Sequence, residues 1–142
     1  MGTIAGTSVD TDVVVLLARA SGAALRTANA ALEPLGLRAR HYAALTIAAE
    51  SGGVAQRQIG ALLGLDPSAV VTLVDDLEGR GLVQRLPDPD DRRARLVTAT
   101  ADGIRLLERA GDVAREVRQA ALGALSPAER ETFVALLRRV VG

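Results

Sequence analysis

No cysteine occurs among the 142 residues. Disulfides, thiolate metal sites and cysteine redox sensing are therefore excluded. Lysine is absent as well, and all 17 basic residues are arginine. Arginine makes bidentate phosphate and guanine contacts that lysine cannot. Because alanine is also abundant, the plainer reading of that bias is a GC-rich coding sequence. There is one histidine, too few N or S ligands for a zinc site. Asp88, Asp90 and Asp91 lack the glycine and distal glutamate of a calcium loop. No nucleophile, base and orienting group form a recognised motif, and there is no glycine-rich phosphate loop. The expectation is a protein that is not an enzyme and needs no metal or cofactor. No apolar run approaches the roughly 20 residues of a membrane span. Val13 to Ala18 is the nearest, and Arg19 ends it. The start of the chain has no basic region followed by a long apolar one, so no secretory signal is read and a cytoplasmic protein is expected. Net charge is zero, which argues against a surface coated in base; any anion binding must come from local distribution.

What is present concentrates between Gln56 and Gly103. Asp66 can cap a helix, and Pro67 fits its first position, where a missing N–H costs nothing. Val70, Leu73, Val74 and Leu77 then recur at helical spacing on one face. The other face carries Ser68, Ala69, Thr72, Asp75 and Asp76, with Val71 at the boundary. Short side chains let a helix backbone sit deep in a major groove, where base edges are read. Gly79 and Gly81 end that helix. Upstream, Ile59, Leu62 and Leu63 form the apolar side of a preceding helix, and Gly64 suits its C-cap. Only Leu65 and Asp66 separate Gly64 from Pro67, the length of a helix-turn-helix turn.

After Gly81 the period changes to two. Leu82 to Leu86 read as a strand and Arg95 to Ala99 as its partner. The intervening PDPDDRRA is polar and rich in turn formers. Arg92 and Arg93 are thereby placed at the tip or just past it. A narrow minor groove has an enhanced negative potential that favours an inserted guanidinium. Asp90 and Asp91 are expected to hold those guanidiniums by charge-assisted hydrogen bonds, Asp91 orienting Arg93. Arg80, Arg85, Arg92, Arg93 and Arg95 outnumber Asp88, Asp90 and Asp91 in this part of the chain.

The stretch DPSAVVTLVDDLEGRGLVQRLPDPDDRRARLVTATADG resembles the central signature of the MarR family of bacterial transcription regulators. The family pattern is a serine-led recognition helix, LVDxLExxGLVxR, a DRR wing, and V-x-L-T-x-x-G leading into a long helix. The match covers about forty residues in order. Ala99 departs from it where leucine is usual, and Thr72 and Asp76 stand where many members carry arginine. The resemblance implies a mainly α fold with a small β-hairpin wing: a winged helix-turn-helix whose terminal helices form a dimerisation lobe. One MarR-type domain would span 1–142, with the DNA-binding lobe at 36–99 and dimerisation helices at 9–35 and 100–142. It implies a homodimer on double-stranded DNA, a repressor on a pseudo-palindromic operator with half-sites about 10 bp apart. Ser68, Ala69, Val71 and Thr72 would face the major groove, and Arg92, Arg93 and Arg95 would serve the wing. The family's peroxide-sensing branch works through cysteine, so this chain lies outside it. A small aromatic or phenolic effector is also implied, with His41, Tyr42 and Arg19 as candidate ligands. The plainer reading of His41 and Tyr42 is core packing with a satisfied polar tip, and of Arg19 a solvated side chain.

Elsewhere the chain reads as helices. Met1 to about Ser8 is small and polar, expected to fray. Asp10 or Asp12 can cap a helix to about Leu32, with Val13, Leu16, Leu17, Ala20, Ala24 and Ala28 as its stripe. A second runs from about Arg38 to Ser51, with Leu45, Ala48 and Ala49 inward, and Val54–Ala55 is a candidate third strand. Thr100 is placed to cap a long helix to about Leu122, on which Leu107, Ala110, Ala114, Val117 and Ala121 repeat with heptad-like spacing. Ser126, Pro127 and Glu129 make a capping box for a last helix to about Val141, carrying Phe133, Leu136, Leu137 and Val140. The terminal helices carry more apolar surface than a small lobe covers, hence the expected second copy. A competing reading keeps the winged helix as a protein–protein module without DNA binding, favoured by zero net charge and by Asp75 and Asp76 on the recognition helix.

Overall fold

The computed structural model describes residues 8–142. Six helices and one hairpin follow in order: α1 (Val13–Leu32), α2 (Ala39–Ser51), α3 (Gln56–Leu63), α4 (Pro67–Gly79), β1 (Val83–Asp88), β2 (Asp91–Ala99), α5 (Ala101–Ala121) and α6 (Pro127–Val141). The expected fraying of the first residues falls outside the described part of the chain, apart from Ser8, which opens a single 3-10 turn.

The caps lie where the side chains dictate. Asp12 accepts from the amides of Val14 and Val15 at the start of α1. Thr100 accepts from Gly103 at the start of α5. At α6 Ser126 and Glu129 exchange hydrogen bonds in a full capping box. Gly64 closes α3 at φ 64, a left-handed conformation that costs a Cβ-bearing residue energy.

The core gathers Leu32, Leu37, Leu45, Ile59, Val74, Leu77, Val83 and Val97, with Ala110 of α5 as its roof. Each such aliphatic side chain contributes roughly 1.5–3 kcal/mol on burial. The four positions of the α4 stripe, Val70, Leu73, Val74 and Leu77, are buried, which fixes its opposite face outward. On α2 the fully buried positions are Ala44, Leu45 and Ala48, whereas Ala49 is half-buried. Leu62 of α3, expected to face inward, is 66% exposed. An eight-residue helix buries a narrow stripe, and Ile59 and Gly60 occupy it.

The hairpin is longer than its hydrophobic pattern. Six residues of β1 face nine of β2, and the PDPDDRRA segment is mostly strand, with only Pro89 and Asp90 in the turn. A two-stranded ribbon is wet on both faces at its far end, so apolar alternation is not needed there. The candidate third strand is a single bridge, Val54 to Val97. Helix α5 is locked to the base of the hairpin. Thr100 donates its hydroxyl to the Gly81 carbonyl at 2.6 Å, and its amide bonds the Leu82 carbonyl. Gly103 then abuts the Leu82 backbone so closely that a Cβ would collide with that carbonyl oxygen. No helix of the described residues is long and apolar enough to cross a membrane.

Candidate nucleic-acid interface

The outward face of α4 is assembled from its N-terminus. Asp66 accepts from the Ala69 amide at 2.9 Å and from the Ser68 hydroxyl at 2.7 Å. Those two bonds, the amide first, hold its carboxyl below the usual aspartate value. One turn on, the Thr72 hydroxyl donates to the Ser68 carbonyl at 3.1 Å. Ser68, Val71 and Thr72 are exposed and Ala69 is half-buried. None of these side chains is longer than valine, so the helix backbone can approach the floor of a groove about 12 Å wide.

The two acids farther along α4 are engaged by neighbouring elements. Arg85 of β1 sends Nη2 to Asp75 at 2.6 Å, Nη1 to Glu78 at 2.8 Å and Nε to Gln56 of α3 at 2.8 Å. Its amide adds a bond to Glu78. One guanidinium, 17% exposed, thus ties wing, recognition helix and α3 together. Asp76 lies 2.7 Å from Nε2 of His41 on α2 and 3.9 Å from Arg80. The sequence put both acids on the outer face of the helix; the partners Arg85 and His41 come from other elements of the fold. The signal for Arg85 was available. It shares the phase of buried Val83 in a period-two strand, and an arginine on an inward face needs partners.

The wing presents its arginines through an irregularity. Pro87 pairs with Arg95 and Asp88 with Asp91, so β1 advances one residue where β2 advances four. Arg92, Arg93 and Ala94 are left out of the ladder. Bulges of this kind re-aim side chains at strand ends. Among the described residues Arg92, Arg93 and Arg95 form no ion pair, and all three are exposed. The expected grip of Asp91 on the Arg93 guanidinium is corrected: the Asp91 carboxylate accepts the Arg93 main-chain amide at 3.0 Å. Asp88 does the same for Asp90 at 2.9 Å. A short carboxylate in a tight turn reaches the backbone two residues on more readily than a long side chain. Asp91 shapes the turn and leaves Arg93 free.

Two clefts flank α4. One, of about 580 Å³, is lined by Arg38, Arg40 and His41 of the α2 start together with Ser68 and Thr72. The other, of about 340 Å³, is lined by Gln56, Arg57 and Val71. The candidate effector residues are separated. His41 lines the first cleft, its Nδ1 buried without a hydrogen-bond partner among the described residues. Tyr42, about 100° further round α2, is half-buried against the core. Arg19 lies 3.7 Å from Asp10 and lines a depression on α1 with Arg26. The three do not form one site within the protomer.

A sequence model of the MarR family matches residues 37–94, the span that holds α2 to the wing tip. A MarR-family transcriptional regulator from Rhodococcus sp. RHA1 superposes with a TM-score of 0.88 at 37% identity, covering 96% of each chain. The chain belongs to the MarR family. CouR from Rhodococcus jostii RHA1, solved bound to p-coumaroyl-CoA, superposes at TM-score 0.86 and 38% identity, again over 96% of each chain. The transcriptional regulator HosA of Escherichia coli O111:H- is 37% identical over 103 residues, 70% of this chain and 74% of that one. Two further curated relatives are longer, and the chain spans 60% and 58% of their length. As a MarR-family winged helix the chain places α4 as recognition helix and the β1–β2 hairpin as wing. The family resemblance read from the sequence and the fold class both stand.

Proposed function

We propose that the protein is a homodimeric repressor that binds a pseudo-palindromic operator in double-stranded DNA and releases it on binding a small aromatic or phenolic effector. It acts in the cytoplasm, by binding and not by catalysis. The observation that carries this reading is the outward face of α4, built of short side chains beside a hairpin on which Arg92, Arg93 and Arg95 form no ion pair among the described residues. Ser68, Ala69, Val71 and Thr72 read the major groove; Arg92, Arg93 and Arg95 reach the adjoining backbone or minor groove. The acids that favoured a protein–protein module each have a partner, Asp75 in Arg85 and Asp76 in His41, so they are tied into the fold instead of standing as a bare docking patch. The lobe at 36–99 binds DNA, and the helices of 9–35 and 100–142 dimerise. Selection of bound fragments from random DNA tests the reading. It should enrich an inverted repeat with half-site centres about 10 bp apart, and failure to enrich any sequence refutes it.

The second copy is supported by what the protomer leaves uncovered. α6 has no buried residue, and Leu136 and Val140 stand 48% and 70% exposed. An apolar groove of about 530 Å³ runs between α1, α5 and α6, lined by Leu17, Leu122, Phe133 and Leu137. For the effector, His41 is the one candidate retained. An aromatic carboxylate in its cleft would meet Arg38 and Arg40 and crowd Ser68 and Thr72, competing with DNA. That CouR binds an aromatic acyl thioester supports the chemical class. Thermal-shift measurements with aromatic carboxylates should show a rise that Arg40→Ala abolishes; a rise that survives the substitution places the effector elsewhere.

A further inference from the structure

Given the DNA-binding reading above, the chemistry of the α4 face restricts which bases it can read. Helix α4 contains no arginine. The commonest way to choose guanine, a bidentate arginine on its O6 and N7, is therefore not available from the helix itself. A carboxylate accepting from the cytosine amino group could come only from Asp75 and Asp76, which lie beyond the Ser68–Thr72 face and each have one oxygen already engaged. Asp75 is bound by Arg85 at 2.6 Å and Asp76 by His41 at 2.7 Å.

The hydroxyls are committed in one direction too. Ser68 donates its proton to Asp66, and Thr72 donates its proton to the Ser68 carbonyl. Outward, each oxygen has lone pairs to offer and no proton. Beside them Val71 is 43% exposed, and Ala69 adds a methyl. The face thus presents acceptors and methyl groups. Among the four base pairs, only A·T and T·A offer both complements in the major groove: an amino donor on adenine N6 and the C5-methyl of thymine. Cytosine supplies an amino donor without the methyl, and guanine presents acceptors that would face acceptors.

We propose that α4 selects A·T pairs, with Val71 packed on a thymine methyl as the specificity-determining contact and Ser68 and Thr72 accepting from adenine amino groups. Val71 is suited to this because its exposure is not needed by the core. Its neighbours Val70, Leu73 and Val74 are all buried, and a solvent-facing valine on a reading helix gains burial only against a ligand.

Deoxyuridine isolates the contact, since it lacks only the methyl and pairs as thymine does. Fragments enriched by the intact protein are remade with deoxyuridine for thymine under α4, and binding is followed by fluorescence anisotropy. The wild type should lose about fourfold per contacted methyl, the factor expected for one buried CH₂-sized group, and about 15-fold with both half-sites substituted. Val71→Ala should lose a similar factor on the thymine operator and be nearly indifferent to deoxyuridine. Equal wild-type affinity for the two operators, or a deoxyuridine effect of full size in Val71→Ala, overturns the proposal. Enriched half-sites led by G·C under α4 also overturn it. A protein that enriches no sequence overturns the DNA-binding reading and this proposal with it; one that enriches an operator but ignores the methyls overturns this proposal alone.

Discussion

Arg85 and Arg93 sit on one hairpin and have opposite work. Arg85 spends its guanidinium on Asp75, Glu78 and Gln56; Arg93 stands outside the ladder with only its amide engaged. Arg93→Ala should therefore weaken operator binding severalfold and lower the slope of log affinity against log salt by about one, the loss of one phosphate contact. Arg85→Met should lower the thermal midpoint, because it strands two carboxylates, while leaving that slope unchanged. Anisotropy titrations at several salt concentrations separate the two. Asp66 gives a pH prediction. Its folded value is depressed below the usual 3.8, so its stabilising effect is present above that value and fades as pH falls through and below it. Asp66→Asn keeps an N-cap that does not titrate. The difference in thermal midpoint between wild type and Asp66→Asn should be constant above about pH 5 and shrink toward pH 3.

At the level of helices and strands, local chemistry was legible and partner choice was not. The caps at Asp66, Thr100 and Ser126 could be named in advance, and that of α1 narrowed to Asp10 or Asp12, because each needs only residues within three positions. The buried stripe of α4 could be named for the same reason. Leu62 could not, because its exposure depends on what α3 packs against. The wing arginines were placed near the tip, but the irregular register that releases them arises from the pairing of two strands. His41 looked like a ligand or a core residue until the fold brought α2 against α4. Gly103 read simply as part of the family pattern; its requirement is a contact with Leu82, far off in the chain. Gly103→Ala should destabilise the protein by about 3 kcal/mol, since the clash is with backbone and cannot be relieved by a rotamer change. Urea denaturation measures it, and a change below ~1 kcal/mol would show that α5 can slide away from the hairpin.

The assembled chain leaves its two ends unequal. The core lies between Leu32 and Ala110, while α1 and α6 carry Val13, Val14, Leu16, Leu136 and Val140 exposed. A second copy is the proposed cover, and stability should then depend on protomer concentration. The thermal midpoint should rise with concentration in the micromolar range. Leu136→Arg should shift sedimentation toward the monomer and remove operator binding, although the DNA-reading lobe is untouched. A dimer that persists in Leu136→Arg and Val140→Arg together would mean that the interface lies on another face.

Helix α5 makes the two regions mechanically one. It is bolted to the hairpin base through Thr100 and Gly103, and it passes from there to the groove shared with α1 and α6. Its 21 residues span about 31 Å at the usual ~1.5 Å rise. A lever of that length swings its tip by nearly 3 Å for a tilt of about 5°, close to the ~3.4 Å step between stacked bases. A shift of a few degrees where α5 meets α1 and α6 therefore carries the hairpin base through almost the height of one base pair.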